Sequence, residues 1–461
     1  SSFRFFCLAT PCLWLPARHM VVAPGSPVAL WLWMDEADLE ALNREVEAGA
    51  AEAGVELETY LDATGFWDTP RRCALLPTLV LPAAKAAGYV RSGVCRSATD
   101  AELRRGGVTS TRYLTQLRTA ASRARRSAAG WAWLDADKSS VVTVHSEAVA
   151  RRAVGAALEA ATWVASAGAG GACARAVVLA RPPGHHNGCD ERLERRERQG
   201  WRHAAHGGCI LNETAVALEQ FLATGLRRAA VLDLDAHFGD GTAWHFYEDS
   251  RVLCVSLHID QTEQHVFPFL KGKAEERGSG AGAGATLNLP LAPGMGDAEA
   301  LRLLDTFAWP AIAAAAPEVL FVSLGFDGLS GDPSEAGLRL SPAFFSQAVS
   351  AAARLCARTV CTLQGGYLPE AMALALADVL RVLSGGTPAE LPGSGEVEAD
   401  FEPFLEGLRR RLANEDEWWS IEQSFEYIPA GFENADESSD SDHEPMRKSD
   451  ARAVPTSGHY L

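Results

Sequence analysis

The sequence predicts an α/β protein with a central, mainly parallel β-sheet flanked by helices and its functional residues at the carboxyl-terminal edge of the strands. Three observations carry this expectation. Apolar runs at 176–180, 228–232, 251–255, 319–322 and 359–362 each read as a buried strand that ends in a polar loop. Segments of Ala/Leu-rich, helical composition, such as 211–223, 343–357 and 370–383, lie between them and supply the crossovers that parallel strands need. The loops collect His and Asp residues, and in an open α/β sheet such loops converge on one crevice.

From the N terminus, residues 1–70 mix Pro and Gly breaks with one helical stretch at 35–53 and read as an extension of unknown role. The opening SSFRFFCLATPCLWLPARHM is apolar after Arg4, as in part of a targeting segment; because the chain starts at Ser1 and not Met, a truncated start is the preferred reading. A helix at about 146–166 leads into the core, and the main unit is expected over 71–392. Residues 393–461 stand apart: GSGEVEAD is a linker, 401–419 an amphipathic helix, and ENADESSDSDHEP at 433–445 an acidic tail. That tail has too few apolar residues to fold, so disorder is expected. No internal repeat is found.

A chain of 461 residues with 47% apolar and 22% charged side chains can bury a substantial core. Its formal charge of −17 argues against nucleic-acid binding through the bulk field and tolerates a basic protein tail as partner. Ten Cys residues lack the paired spacing of a zinc finger or disulfide scaffold and read as buried thiols of a reducing compartment. No apolar run reaches the ~18 residues of a membrane span.

The densest chemistry lies in DLDAH at 233–237. Asp235 and His237 are two apart, so in extended chain they share a side and could grip one ion, although acids at strand ends also cap helices. Matching parts follow the other strands: RPPGHHNG at 181–188, SLHID at 256–260, SLGFDGLSGDP at 323–333 and LQGGYLPE at 363–370.

Together these motifs resemble the zinc-dependent histone deacetylase superfamily, in the branch of class II enzymes and acetylpolyamine amidohydrolases. The resemblance covers roughly residues 130–385, and FPFLKGKAEERGSGAGAGATLNLPL at 267–291 is similar to the amidohydrolase-like members. It implies an arginase/deacetylase-type fold and one zinc ion per chain held by Asp235, His237 and Asp327. His186 would be the general base and His185 would stabilise developing charge, with Asp240 and Asp233 as their respective orienting acids. Tyr367 would donate to the oxyanion. Asp233, Asp235 and Ser256, with the carbonyls of His237 and Leu257, match an inner monovalent-cation site, usually potassium.

Departures from the family pattern bear on the substrate. Gly208 stands where an aromatic wall of the acyl-lysine tunnel is usual, Phe267 matches the opposite wall, and Ser334 occupies a position where some members carry Glu. Phe238 replaces a frequent second His. The loop 187–206 is longer than usual and Arg-rich. Ser334 and the Arg-rich loop favour acetyl-lysine in proteins, such as histone tails, over acetylated polyamines, which the 267–291 stretch supports as the alternative. A binuclear ureohydrolase would need acids at Gly239 and Leu329, and a non-catalytic acetyl-lysine reader would not need Tyr367. The nucleus or cytoplasm is expected, and the oligomeric state is not legible.

Overall fold

The structure, a computed structural model, describes residues 28–33, 70–73, 75–80, 84, 90–91 and 96–413, the last without 128–129, 135–139, 168–172, 189–205, 261–266, 269–270, 335, 394–396 and 398–400. The opening segment, the helix expected at 35–53 and the acidic tail lie outside the described residues.

In chain order the strands are β1 (Val28–Trp33), β2 (Val90–Arg91), β3 (Trp131–Trp133), β4 (Val141–Thr143), β5 (Cys173–Val178), β6 (Ala229–Asp233), β7 (Val252–Ile259), β8 (Thr286–Leu291), β9 (Val319–Leu324) and β10 (Arg358–Leu363). The helices are α1 (Asp100–Leu103), α2 (Thr111–Arg126), α3 (Ser146–Ala167), α4 (Glu213–Ala223), α5 (Asp240–His245), α6 (Asp297–Leu303), α7 (Trp309–Ala315), α8 (Pro342–Leu355), α9 (Pro369–Leu383) and α10 (Phe401–Ala413). Eight strands form one sheet in the order β2-β1-β5-β10-β9-β6-β7-β8, and β3 and β4 form a separate antiparallel pair. Every pairing in the large sheet is parallel.

Two-sided burial explains why the strands read as continuous apolar runs. Ala174, Ala176, Val178, Val231 and Phe321 point into a layer with residues of α2, α3 and α4. Their neighbours Val177, Leu232, Leu320 and Val322 point into the opposite layer with α8, α9 and α10. Three boundaries expected from sequence move as the strands and helices find their partners. β1 lies in the stretch expected to be an extension, yet it pairs along its whole length with β5. Phe401, Leu405, Leu408 and Leu412 of α10 join the core, so this helix packs on the domain and is not part of a separate tail. β7 runs on through Ser256–His258, which were expected in a loop, because β8 pairs with it as far as Ile259.

The site is positioned by register. Thr362, Ser323, Asp233, Ser256 and Asn288 are aligned neighbours on β10, β9, β6, β7 and β8, forming one polar row across the sheet. Beyond this row the strands give way to loops. The chain leaves β6 towards β7 on one side and β9 towards β10 on the other, so the loops part and open a crevice.

One side chain ties two of these loops. Gln364, at the end of β10, accepts the backbone N–H of Gly184 and of His185 on its Oε1, both at 3.1 Å. Its amide nitrogen donates to Glu213 Oε1 at 2.6 Å and to Thr362 Oγ1 at 3.1 Å. Burial pushes the Glu213 carboxyl up to about 7 from 4.5. A folded-state value above the unfolded one means that stability is full below the unfolded value and is lost as pH rises through the folded one. Glu213→Gln keeps the acceptor for Gln364. Calorimetry should therefore find its melting temperature close to the parent's at about pH 5 and above it at about pH 8.5. Equal curves at both pH values would show that this carboxyl does not ionise at a cost.

Candidate active site

After β6 the chain bends at 235–237 and does not continue extended, as the sequence suggested. Asp235 and His237 meet through an Asx turn: the His237 N–H donates to Asp235 Oδ1 at 2.9 Å. Asp327, three residues past β9, accepts the Ala236 N–H on Oδ1 at 2.8 Å and faces His237 Nδ1 with Oδ2 at 2.8 Å. Ligand-type atoms of Asp235, His237 and Asp327 lie within 4.8 Å of one another, so this set could hold a metal ion. Charge supports the fit. Burial and the Asp235 charge raise the Asp327 carboxyl to about 6, while the Asp327 and Asp235 carboxylates overcome burial and lift the His237 imidazole to about 10. Two buried carboxylates thus demand a positive charge between them. Gly365 donates its N–H to Asp235 Oδ2 at 2.8 Å, and a Cβ there would lie 2.5 Å from Asp327 Oδ2. Only glycine permits that approach.

His185 and His186 are 2% and 4% exposed. Gln364 and the start of α4 cover the turn from below. His185 Nδ1 lies 3.1 Å from Asp233 Oδ2, and His186 Nδ1 lies 2.8 Å from Asp240 Oδ1, which is the expected pairing. The two rings sit 4.0 Å apart in different fields. Burial alone would depress His185, but Asp235 and Asp233 raise it to about 9. Burial and the neighbouring His185 charge lower His186 to about 3, so His186 is neutral.

Asp240 has two partners that sequence reading missed. Its Oδ2 meets His206 Nε2 at 2.8 Å and Lys271 Nζ at 2.6 Å. No local pattern marks either residue, because the contact joins loops far apart in sequence. His186, His206 and Asp240 also bring ligand-type atoms within 4.8 Å, but the Lys271 ammonium already places a fixed positive charge on that carboxylate.

Tyr367 follows the close-packed glycines, and its N–H donates to Asp332 Oδ2 at 2.7 Å. Behind it lies Arg72, also unforeseen, which is 1% exposed. Arg72 donates to the carbonyls of Gly366 and Gln364, and its guanidinium stands 5.3 Å from the Tyr367 ring centre. Ser334 is turned inward: its hydroxyl donates to the Asp327 carbonyl at 3.3 Å and its N–H to Asp332 Oδ1 at 2.9 Å. Phe267 packs edge-on against His186 and His206, each at 4.9 Å between ring centres. Gly208 has a φ of +74°, and among the described residues nothing lies within 4 Å of where its Cβ would be. Phe238, in place of a second His, is buried against the ring of His258.

Ser256 meets His258 Nδ1 at 2.8 Å, and His258 Nε2 meets the Gly272 carbonyl at 2.9 Å. Burial lowers His258 to about 4, so its ring carries one proton. The Gly272 carbonyl only accepts, which places that proton on Nε2 and leaves Nδ1 to accept the Ser256 hydroxyl. Both lone pairs of Ser256 Oγ stay available, as a monovalent-cation ligand requires.

The histone deacetylase domain family matches residues 70–383. Acetylpolyamine amidohydrolase 1 of Pseudomonas aeruginosa is 38% identical over 211 residues, 46% of this chain and 56% of that protein. Histone deacetylase HDA1 of Saccharomyces cerevisiae is 32% identical over 253 residues, 54% of this chain and 33% of that protein. The matched stretches thus span from a third to a little over half of these curated relatives. The crystal structure of the HDA15 HD domain has the same fold, with a TM-score of 0.65 at 23% identity over 86% of this chain and 97% of that one. With a family match that takes in every strand of the large sheet except β1, this chain belongs to the histone deacetylase superfamily and has the arginase/deacetylase fold.

Proposed function

We propose that this protein is a zinc-dependent deacetylase that hydrolyses the acetyl amide of N6-acetyl-lysine in proteins. The observation that carries the reading is the pairing of a neutral, acid-oriented His186 with the two-carboxylate, one-imidazole set Asp235, His237 and Asp327. Two oxygens and one nitrogen suit zinc and leave positions open for water and substrate. When bound, the ion would polarise the acyl carbonyl and acidify a water molecule. His186, with its Nδ1 proton on Asp240, offers a bare Nε2 that takes the proton of the attacking water and passes it to the leaving lysine amine. His185, held by Asp233, stabilises the charge that develops beside it. The Tyr367 phenol donates to the carbonyl oxygen as it becomes an oxyanion. Asp233, Asp235 and Ser256 would hold a potassium ion, and the tautomer of His258 keeps the serine oxygen able to ligate it.

Protein substrates are favoured over polyamines by the chemistry beside the pocket. A polyamine needs a free carboxylate for its distal ammonium. Ser334 stands where an acid would serve, and both oxygens of Asp332 are engaged by backbone N–H groups. The second reading, acetylpolyamine hydrolysis, is supported by the relative from Pseudomonas aeruginosa that carries this name. No helix among the described residues is long and apolar enough to cross a membrane.

Elemental analysis is expected to find one zinc per chain, and Asp327→Ala or His237→Ala should lose both the metal and the activity. Two tightly held metals, or full activity after chelation and dialysis, would refute the metal assignment. Tyr367→Phe should lower turnover by roughly 10²–10³ with zinc content unchanged. Parent-like turnover in that variant would reduce the tyrosine to a wall residue and favour a non-catalytic reader. In a panel of acetyl-lysine peptides and N-acetylated polyamines, the peptides should show the higher kcat/KM. Preference for acetylspermidine over every peptide would replace the leading reading with the second.

A further inference from the structure

Three loops meet at Asp240, and they do more than orient one histidine. Asp240 begins α5 and is almost wholly buried. Its Oδ1 lies 2.8 Å from His186 Nδ1, while its Oδ2 meets His206 Nε2 at 2.8 Å and Lys271 Nζ at 2.6 Å. Burial works against ionisation here, but His206 and Lys271 hold this carboxyl well below the ordinary range. A carboxylate only accepts, so both ring nitrogens that face it carry their protons. His186 is therefore the Nδ1–H tautomer, with the Nε2 lone pair directed away from Asp240. Phe267 packs edge-on against both rings and limits their rotation.

We propose that Lys271 and His206 are positioning residues for the reaction: together they occupy the second oxygen of Asp240 and so commit the first to His186. This inference rests on the amide-hydrolysis reading given above. With Oδ2 left without donors, the carboxylate can rotate and exchange oxygens, and the direction of the His186 lone pair loosens with it. Lys271 acts as the resident cation of the cluster. His186, His206 and Asp240 are close enough to take a metal ion, but an ammonium 2.6 Å from the shared oxygen fills that role from within the chain. Lys271 and His206 touch neither substrate nor reacting atoms and act only through Asp240.

The test compares Lys271→Met, Lys271→Arg and His206→Phe in the full chain, in both the parent and the Asp240→Asn background. On an acetyl-lysine peptide, Lys271→Met is expected to lower kcat roughly tenfold, the order of one charge-assisted hydrogen bond, with KM little changed. His206→Phe should lower kcat in the same way, and Lys271→Arg should recover most of the loss. In the Asp240→Asn background, Lys271→Met should add nothing, because the acid it acts through is gone. Nitrogen-15 spectra of labelled histidine side chains need no substrate. They should show His186 protonated at Nδ1 and His206 at Nε2, with the His186 signal displaced in Lys271→Met and restored in Lys271→Arg. An unchanged kcat, a loss confined to KM, full additivity with Asp240→Asn, a bare Nε2 on His206, or a metal ion bound in place of Lys271 would each overturn the proposal. Spectra as expected in a chain that turns over no acyl amide would instead remove the hydrolase reading and leave the arrangement at Asp240 standing.

Discussion

Buried negative charge at the carboxyl edge of the sheet is the constraint on which the rest of this structure depends. Asp233, Asp235, Asp240 and Asp327 are all almost fully inaccessible to water. A buried carboxylate costs several kcal/mol unless it is paired and hydrogen-bonded. Each of these acids meets that demand with fixed donors. Asp233 takes the Asp235 N–H and His185, Asp235 takes the N–H groups of His237 and Gly365, and Asp327 takes the Ala236 N–H and His237. Asp240 alone among them uses a lysine. The bends and glycines of these loops follow from the need to bring such donors to the oxygens.

That constraint also ties the site to the sheet. Asp233 ends β6 in register with Ser256 on β7 and Ser323 on β9, so the polar row sets the depth at which the loops begin. Gln364 carries the register of β10 into the turn that presents His185 and His186. Arg72 braces the Gly365–Gly366 backbone from behind. Chemistry and scaffold therefore share the same hydrogen bonds, and small displacements of a strand end would be felt at the candidate metal ligands.

Among the described residues, the two sides of the pocket differ. Phe267 is anchored by two histidine rings, whereas Gly208 presents open space. The positive φ at Gly208 favours glycine there, so the backbone itself disfavours a side chain at this position.

Much of the fold was legible in the sequence because a two-sided parallel sheet imposes continuous apolar runs, and those runs end where chemistry begins. The zinc-type set and the His185–His186 pair were legible for the same local reason, since they sit beside strand ends in short motifs. Not legible were the place of β1 in the sheet, the packing of α10, the bend at 235–237 and the partners His206, Lys271, Arg72 and Gln364. Each of these depends on which strands become neighbours. The sequence by itself determined the elements, their order along the chain and the residue types at their ends. Only the tertiary structure decided which distant side chains share an oxygen, because the strand order places β5, β10, β9 and β6 side by side, and a buried carboxylate recruits whatever donors that order brings within reach.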